Sequence, residues 1–158
     1  GCLYFGLMIT PNGPKVIEYN CRFGDPETQV VLPLLESDLL TVMQAVTNET
    51  LADCEVKFKD ASACCVIMAS KGYPTSYEKG FEIEGLDAFD NEQYFCFHAG
   101  TKKNDAGKIV TNGGRVLGIT AKGSDLKEAR ANAYEATKWV SFDNKYMRND
   151  IGKAIDEA

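Results

Sequence analysis

The chain has 158 residues, 44% of them hydrophobic and 25% charged, a composition typical of a folded globular protein with one substantial core. Its net charge is −6 and no cluster of Lys and Arg interrupts the acidic balance, which disfavours nucleic acid and anionic membranes as partners. No apolar run approaches the ~18 residues of a membrane-spanning helix. Because the chain starts at Gly1 rather than Met, we expect it to begin inside a larger protein.

The six cysteines indicate free thiols rather than a disulfide framework or a zinc site. No Cys-x-x-Cys pair is present, and with His98 as the only histidine a Cys2His2 site cannot be built. Cys64 and Cys65 are neighbours in a predicted strand, where their side chains would point to opposite faces. Most of the cysteines lie among apolar residues, which is the usual place of a free thiol. We therefore expect a reducing, cytoplasmic location.

The first predicted elements form an antiparallel hairpin. Residues 2–10 are almost wholly apolar and rich in strand formers, as in a strand covered on both faces. Asn12-Gly13 supplies residues that tolerate the positive φ of a tight turn, so residues 15–21 should return antiparallel to the first strand. Gly24-Asp25-Pro26 then ends the return strand, because proline cannot continue a sheet ladder.

Polar side chains recur along one face of the return strand. Period-two alternation places Val16, Glu18, Asn20 and Arg22 together, with apolar residues and Cys21 on the other face. The Glu18 carboxylate and the Asn20 amide offer the oxygen ligands that Mg²⁺ prefers, while phosphate and water complete its shell. The Arg22 guanidinium can bind a phosphate or a carboxylate through two N–H groups. The pattern favours magnesium–nucleotide chemistry, although ordinary polar residues at a strand end are the commoner cause of such spacing.

Two predicted helices and a boundary follow the hairpin. Apolar residues recur at helical spacing over residues 26–35. Ser37 or Asp38 can cap a second helix that carries its apolar residues on one side. The composition changes across residues 48–60, where we place the boundary between two parts of the chain.

The rest of the chain combines short strands with one long helix. "SACCVIMAS" is typical of a buried strand, and "EQYFCFHAG", "GKIVTNGG" and "RVLGITAKG" predict further strands separated by glycines. A loop rich in Gly, Pro and Tyr covers residues 71–80. Residues 124–140 carry the strongest helix pattern, with Ser124 as N-cap. Because strands and helices are mixed without a βαβ rhythm, we predict an α+β fold.

A longer string resembles a known family. The stretch "GPKVIEYNCRFGDPETQVVLPLLESDLL", and above all its "N-x-RFGDPETQ" part, is similar to the end of the ATP-grasp region of the phosphoribosylamine–glycine ligase (glycinamide ribonucleotide synthetase) family. The resemblance continues in "ASKGYPTSYEKG", "FHAGT", "TNGGRVLGITAKG" and "FDNKYMRNDIG", and it covers essentially the whole chain.

The resemblance implies a division into two domains. Residues 1–59 would be the end of an ATP-grasp sheet, an antiparallel hairpin with helices. Residues 60–158 would be the family's C-terminal domain, small, mixed and mainly antiparallel, with one long helix. The N-terminal part of the enzyme, including the lobe that covers the nucleotide, would be missing, so this chain alone would be inactive.

The implied activity is an ATP-dependent ligation in de novo purine biosynthesis. ATP would phosphorylate the glycine carboxylate to glycyl phosphate, and the amine of 5-phosphoribosylamine would attack it. The products would be glycinamide ribonucleotide, ADP and phosphate. The partners implied are therefore small molecules, namely ATP, glycine and 5-phosphoribosylamine.

The resemblance also implies roles for residues of the hairpin and the loop after it. The family's E-x-N motif maps to Glu18 and Asn20, which would hold Mg²⁺ or Mn²⁺ as its only protein ligands, since residues 2–10 contain no acid. Arg22 would be the catalytic contact to the phosphate or acyl phosphate. The loop residues at the substrate end would be Gly24, Asp25 and Glu27.

Two alternatives stay open. Another ATP-grasp carboxylate–amine ligase would share the E-x-N motif without needing "RFGDPETQ", and a non-catalytic domain could retain the fold. The roles of His98 and Arg115 also stay open. A lone histidine such as His98 is more often a structural hydrogen-bonder than a catalyst. Arg115 is a candidate for a substrate contact, but a hairpin with positive-φ residues explains the glycines before it equally well.

Overall fold

The computed structural model describes residues 1–157, and the chain divides into two units, Gly1–Lys59 and Asp60–Ala158. Antiparallel strands and helices occur in both units, so the predicted α+β fold is confirmed. No helix in the described part of the chain is long and apolar enough to cross a membrane.

The first unit consists of a hairpin followed by short helices. Its elements are β1 (Tyr4–Thr10), β2 (Gly13–Asn20), α1 (Thr28–Val31) and α2 (Leu39–Thr47), with 3₁₀ turns at Leu32–Leu34 and Leu51–Asp53. The predicted hairpin is present, and Gly13 occupies the left-handed region at φ +86°. Thr10 Oγ1 donates to the Gly13 carbonyl at 2.7 Å, which closes the turn.

A β-bulge interrupts the hairpin. Gly6 lies opposite Glu18 but Leu7 lies opposite Val16, so Ile17 is an extra residue on β2. Side chains therefore do not simply alternate between Val16 and Glu18. The prediction that Val16 lies on the same face as Glu18 and Asn20 is wrong. The polar face runs from Glu18 to the end of the strand.

The second predicted helix is α2, and it begins after Asp38. Asp38 Oδ2 accepts a hydrogen bond from the Thr41 backbone N–H at 2.7 Å, so Asp38 rather than Ser37 is the N-cap. The Ser37 hydroxyl instead accepts from Lys57 N at 2.8 Å and thereby holds the segment that follows the helix. Only Ala45 of α2 is buried, which leaves the apolar side of the helix largely exposed.

The second unit is built on a four-stranded antiparallel sheet in the order β4-β7-β3-β8. Its strands are β3 (Ser62–Ser70), β4 (Tyr94–His98), β7 (Arg115–Gly123) and β8 (Lys145–Tyr146), and β5 (Thr101–Lys103) pairs with β6 (Ile109–Thr111) in a separate hairpin. Its helix is α3 (Leu126–Ala136), with 3₁₀ turns at Leu86–Ala88, Thr137–Trp139 and Lys153–Glu157. The mainly antiparallel arrangement with one long helix agrees with the prediction.

Helix α3 packs on β3 and β7 through small residues. Ala129 and Ala133 are fully buried, and they form a core cluster with Cys64, Val66 and Ala121 of the sheet. Alanines allow the helix backbone to approach the sheet closely. The approach is close enough that a Cβ added at Gly123 would lie 2.4 Å from Ala129 N.

The N-terminus of α3 differs from the prediction by one residue. Asp125 is the N-cap, because its Oδ1 accepts from the Glu128 backbone N–H at 2.7 Å. Ser124, the predicted N-cap, instead donates its backbone N–H to Glu128 Oε2 at 2.6 Å. The two bonds form a reciprocal capping arrangement that starts one position later than the sequence pattern indicated.

None of the six cysteines, all of which lie in the described residues, is disulfide-bonded. Cys64 and Cys65 are buried. Burial raises the pKa of Cys64, and burial together with the nearby Cys65 raises the pKa of Cys96 to about 12. These thiols are therefore protonated at neutral pH and poorly nucleophilic.

Candidate functional site

The face of the hairpin that carries Glu18 and Asn20 also carries Tyr4 and Gly6 of β1. The antiparallel register places Tyr4 opposite Asn20 and Gly6 opposite Glu18. Residues directly opposite each other in a ladder share one face of the sheet. The two predicted metal ligands are therefore brought together beside a tyrosine and a glycine.

Glu18 and Asn20 contact each other directly. Asn20 Nδ2 donates to Glu18 Oε1 at 3.2 Å, which orients the amide beside the carboxylate. Oδ1 of Asn20 and Oε2 of Glu18 are not used by that bond. The pair thus offers two hard oxygen atoms of the kind that Mg²⁺ or Mn²⁺ binds.

The space around Glu18 depends on Gly6. A Cβ added at Gly6 would lie 3.1 Å from Glu18 Cγ, closer than ordinary van der Waals contact. Gly6 is the only glycine within β1, and glycine inside a strand commonly marks the close approach of another group. The absence of a side chain at this position lets the Glu18 stem cross the strand.

A metal at this face fits the residues present but would not be held by them alone. Among residues 1–157 no three His, Cys, Asp or Glu side chains are grouped so that they could hold a metal ion. Two protein ligands are the usual number for Mg²⁺ when substrate phosphates and water supply the remainder. The donor set therefore suits a metal that arrives with a phosphate-bearing ligand.

The loop after β2 brings the Glu27 carboxylate to the same region. Partial burial, the side-chain interaction with Glu27 and the negative charges of Glu27 and Glu18 raise the pKa of Tyr4. Glu27 Oε2 is buried and has no hydrogen-bond partner among the described residues. The carboxylate is packed against Gly24, where an added Cβ would lie 2.3 Å from Oε2. Glu27 is thus held in place with one oxygen unsatisfied.

The remaining predicted loop residues have local contacts. Gly24 is buried, and its carbonyl accepts from the Thr28 backbone N–H at 3.1 Å and from the Thr28 hydroxyl. Asp25 is exposed, and its Oδ1 accepts from Gln29 Nε2 at 2.5 Å.

Arg22 is exposed, and its Nη1 donates to the Phe23 carbonyl at 3.1 Å. That bond uses one of the five guanidinium N–H groups.

In the second unit, His98 and Arg115 have contacts within the protein. The His98 side chain is exposed, and its Nδ1 lies 3.0 Å from Thr101 Oγ1. A Cβ added at Gly114 would lie 2.0 Å from Tyr73 Cδ2, so this glycine is needed to accommodate the tyrosine ring. The Arg115 carbonyl accepts from Gly100 N at 2.8 Å, at the start of β7. These contacts assign no substrate role to His98 or Arg115.

Sequence reasoning did not identify Tyr4 and Gly6 as part of the site. Both depart from the pattern of their strand, since Tyr4 brings a hydroxyl and Gly6 lacks a side chain in the otherwise apolar stretch "CLYFGLMI". Those departures were the available signal. Tyr4 and Glu27 interact although they are far apart in the sequence, and no local pattern indicates such an approach.

Two family models match the chain in sequence order. The model described as "Phosphoribosylglycinamide synthetase, ATP-grasp (A) domain" matches residues 1–28. The model described as "Phosphoribosylglycinamide synthetase, C domain" matches residues 63–154.

Curated relatives match nearly the whole chain. The phosphoribosylamine–glycine ligase of Caldanaerobacter subterraneus subsp. tengcongensis is 52% identical over 151 residues, which are 96% of this chain and 36% of the relative. The trifunctional purine biosynthetic protein adenosine-3 of Gallus gallus is 52% identical over 153 residues, 96% of this chain and 15% of that protein. The chain therefore spans only part of the length of each relative.

A solved structure has a similar fold. The crystal structure of phosphoribosylamine–glycine ligase from Thermotoga maritima matches with a TM-score of 0.72 and 38% sequence identity. The match covers 94% of this chain and 36% of that one. Because the C-domain family model alone matches more than half of the residues, the chain belongs to the phosphoribosylglycinamide synthetase family.

Proposed function

We propose that this chain is the C-terminal part of an ATP-dependent ligase that joins glycine to 5-phosphoribosylamine in de novo purine biosynthesis. The main support is the Glu18–Asn20 pair, which shares one strand face directly before the Arg22–Glu27 loop. The names of the relatives agree with this activity. Since the chain spans 36% of the first relative, the rest of the enzyme would supply the other contacts to ATP.

We assign residues 1–59 to the end of the ATP-grasp region and residues 60–158 to the C-terminal domain. The family-model matches at 1–28 and 63–154 support this division. The free cysteines support the cytoplasm as the location, because reduced thiols are usual there.

In the proposed reaction, Glu18 and Asn20 would hold the metal ion that accompanies the ATP phosphates. A bound Mg²⁺ or Mn²⁺ would neutralise the negative charge of the phosphates during the transfer. The Asn20 amide is oriented by its 3.2 Å bond to Glu18, so the two ligands act as one preorganised pair. Preorganised ligands lose little entropy when the nucleotide arrives.

Arg22 has the catalytic role in this proposal. Its guanidinium would bind the phosphoryl group, and then the acyl phosphate of glycyl phosphate, through two parallel N–H groups. Stabilising the charge that develops on the phosphoryl oxygens lowers the barrier to transfer. Gly24, Asp25 and Glu27 follow directly in the chain and would form the glycine end of the site.

The test is turnover of the full-length enzyme with Mg·ATP, glycine and 5-phosphoribosylamine. We expect Glu18→Gln and Asn20→Ala to remove most of the turnover, because the metal loses one of two protein ligands. Excess Mg²⁺ should restore part of the rate of Asn20→Ala, since only a neutral ligand is lost. Glu55→Gln, a change at an exposed carboxylate paired with Lys57, is the matched control and should leave the rate unchanged.

Several outcomes would contradict the proposal. Near-normal turnover of both variants at limiting Mg²⁺ would show that the metal assignment is wrong. Activity with another carboxylate but not with glycine would favour a different ATP-grasp ligase. An inactive wild-type enzyme that is correctly folded would favour the non-catalytic alternative.

A further inference from the structure

Two Asn-Gly pairs occur in the chain, and the fold places them in different surroundings. Asn12-Gly13 lies at the turn of the first hairpin, and Asn112-Gly113 lies between β6 and β7. Asparagine is a thermolabile residue, and a glycine after it has no Cβ to crowd an attack of its backbone nitrogen on the asparagine side chain. Both pairs share this local chemistry, so a difference in their reactivity has to come from the fold.

The Asn12-Gly13 pair is open on the outside of its turn. Asn12 is exposed, and its backbone N–H donates to Thr10 Oγ1 at 3.2 Å. Gly13 has φ +86°, and a Cβ added to it would meet no atom within 4 Å. Exposed turns with few contacts open locally at little cost in free energy. The Gly13 nitrogen can therefore reach the Asn12 side chain without disturbing a core.

The Asn112-Gly113 pair is held from several sides. The Asn112 backbone N–H donates to the Gly100 carbonyl at 2.7 Å, and the Gly113 carbonyl accepts from Ser70 Oγ at 2.9 Å. Ser70 is fully buried, and a Cβ added to Gly113 would lie 2.7 Å from Gly100 Cα. A rearrangement of this backbone has to break both hydrogen bonds and move Gly113 away from Gly100.

We propose that Asn12 is a site of spontaneous deamidation and that the fold protects Asn112 from the same reaction. The Gly13 backbone nitrogen, after losing its proton to hydroxide, attacks Cγ of Asn12. A new C–N bond closes a five-membered succinimide, the bond from Cγ to Nδ2 breaks, and Nδ2 leaves as ammonia. Water then opens the ring at either carbonyl, which gives aspartate or isoaspartate at position 12.

The products change the turn itself. Each product carries one more negative charge than asparagine, and in isoaspartate the main chain runs through the former side chain and is longer. The pairing of Thr10 with Gly13 leaves only Pro11 and Asn12 in the turn, and turns of this length allow few backbone conformations. Deamidation therefore alters the turn that joins β1 to β2.

The experiment incubates the full-length enzyme at mildly alkaline pH, digests samples at intervals and follows both Asn-Gly peptides by mass spectrometry. Deamidation raises the mass of a peptide, and chromatography separates its aspartyl and isoaspartyl forms. In the folded enzyme we expect Asn12 to be converted at least about tenfold faster than Asn112, because its backbone opens more readily. In concentrated urea, where both pairs are unfolded, the two rates should be about equal.

Two variants of the same kind assign the reaction to its site. Asn12→Gln and Asn112→Gln are both changes at exposed positions. Glutamine has one more methylene than asparagine, so the corresponding ring has six members and closes more slowly. Asn12→Gln should abolish most of the modification of the hairpin peptide, and Asn112→Gln should leave it unchanged.

Three outcomes would contradict the inference. Conversion of Asn12 no faster than that of Asn112 in the folded enzyme would overturn it. A difference that persists in urea would show that neighbouring residues, rather than the contacts of Gly113, set the two rates. Aspartate without isoaspartate would show that the reaction does not pass through a succinimide. None of these measurements depends on turnover, so the result is separate from the proposed function.

Discussion

Gly6 leaves the Glu18 side chain space that an alanine would occupy. The added Cβ of Gly6→Ala would lie 3.1 Å from Glu18 Cγ, so the glutamate must shift by a few tenths of an ångström. We expect the full-length variant to need several-fold more Mg²⁺ for half-maximal rate, because one ligand is displaced rather than removed. The measurement is a Mg²⁺ titration at saturating ATP and glycine.

The control for this substitution is Met8→Ala, a change at an exposed position of the same strand. It should leave the Mg²⁺ requirement unchanged. If Gly6→Ala also behaves like the wild-type enzyme, the close approach of Glu18 to Gly6 has no consequence for metal binding.

Single residues of the site could be predicted to different extents. The proximity of Glu18 and Asn20 followed from their spacing of two on a predicted strand, and the hydrogen bond between them agrees with it. The interaction of Tyr4 with Glu27 could not be predicted, because it depends on the tertiary path of the loop after β2. Side-chain burial of this kind is a tertiary property.

At the scale of elements, the N-terminus of α3 gives a prediction about pH. The Ser124 hydroxyl and backbone N–H both donate to the Glu128 carboxylate and lower its pKa below the ordinary value of 4.5. A carboxyl whose pKa is lower in the folded state stabilises the fold above its unfolded pKa. That contribution to stability is lost as the pH falls through the lowered pKa of Glu128 in the folded state.

We therefore expect the stability difference between wild type and Glu128→Gln to depend on pH. The wild-type chain should have the higher thermal midpoint at pH 7, and its advantage should shrink below about pH 4.5. Thermal unfolding followed by circular dichroism from pH 7 to pH 3 measures the difference. Glu135→Gln, at an exposed carboxylate near the other end of α3, is the control. An advantage that stays constant with pH would contradict the interpretation.

Elements with local signals were predictable, and their arrangement was not. The Asn12-Gly13 turn and the Asp38 cap are visible in a few adjacent residues, and both are present. The sheet order β4-β7-β3-β8 joins strands far apart in sequence, and β8 contributes only Lys145 and Tyr146. A strand of two residues has no detectable period, since its pairing depends on the neighbouring strand.

At the scale of the whole molecule, the proposed function implies that the chain carries only part of a nucleotide site. Binding contributions multiply, with about tenfold in affinity for each 1.4 kcal/mol. Glu18, Asn20 and Arg22 alone lack the contacts that the rest of a longer enzyme would supply. We expect calorimetry of this 158-residue chain with Mg·ATP to show no saturable binding at micromolar concentrations, whereas the full-length enzyme binds.

The state of the chain in that experiment can be checked independently. The sheet of the second unit and α3 enclose a buried core, so circular dichroism should report folded protein. The hairpin of the first unit does not enclose such a core, because apolar side chains such as Ile9 and Ile17 are 78% and 63% exposed. Tight Mg·ATP binding by the folded 158-residue chain would show that the nucleotide site lies within these residues.

The bulge at Ile17 has a consequence for how the hairpin can change in length. Side chains on a strand alternate between faces, so shifting a strand by one residue moves all of them to the opposite face. The Gly13 turn and the extra residue at Ile17 together place Glu18 and Asn20 opposite Gly6 and Tyr4. Deleting Ile17 itself would leave the two proposed metal ligands opposite Gly6 and Tyr4, because Ile17 is the extra residue of the bulge. A second deletion between the turn and Glu18 would have no bulge to absorb it and would shift the pairing of Glu18 and Asn20. The bulge therefore lets this hairpin lose one residue, and no more, without moving the pair.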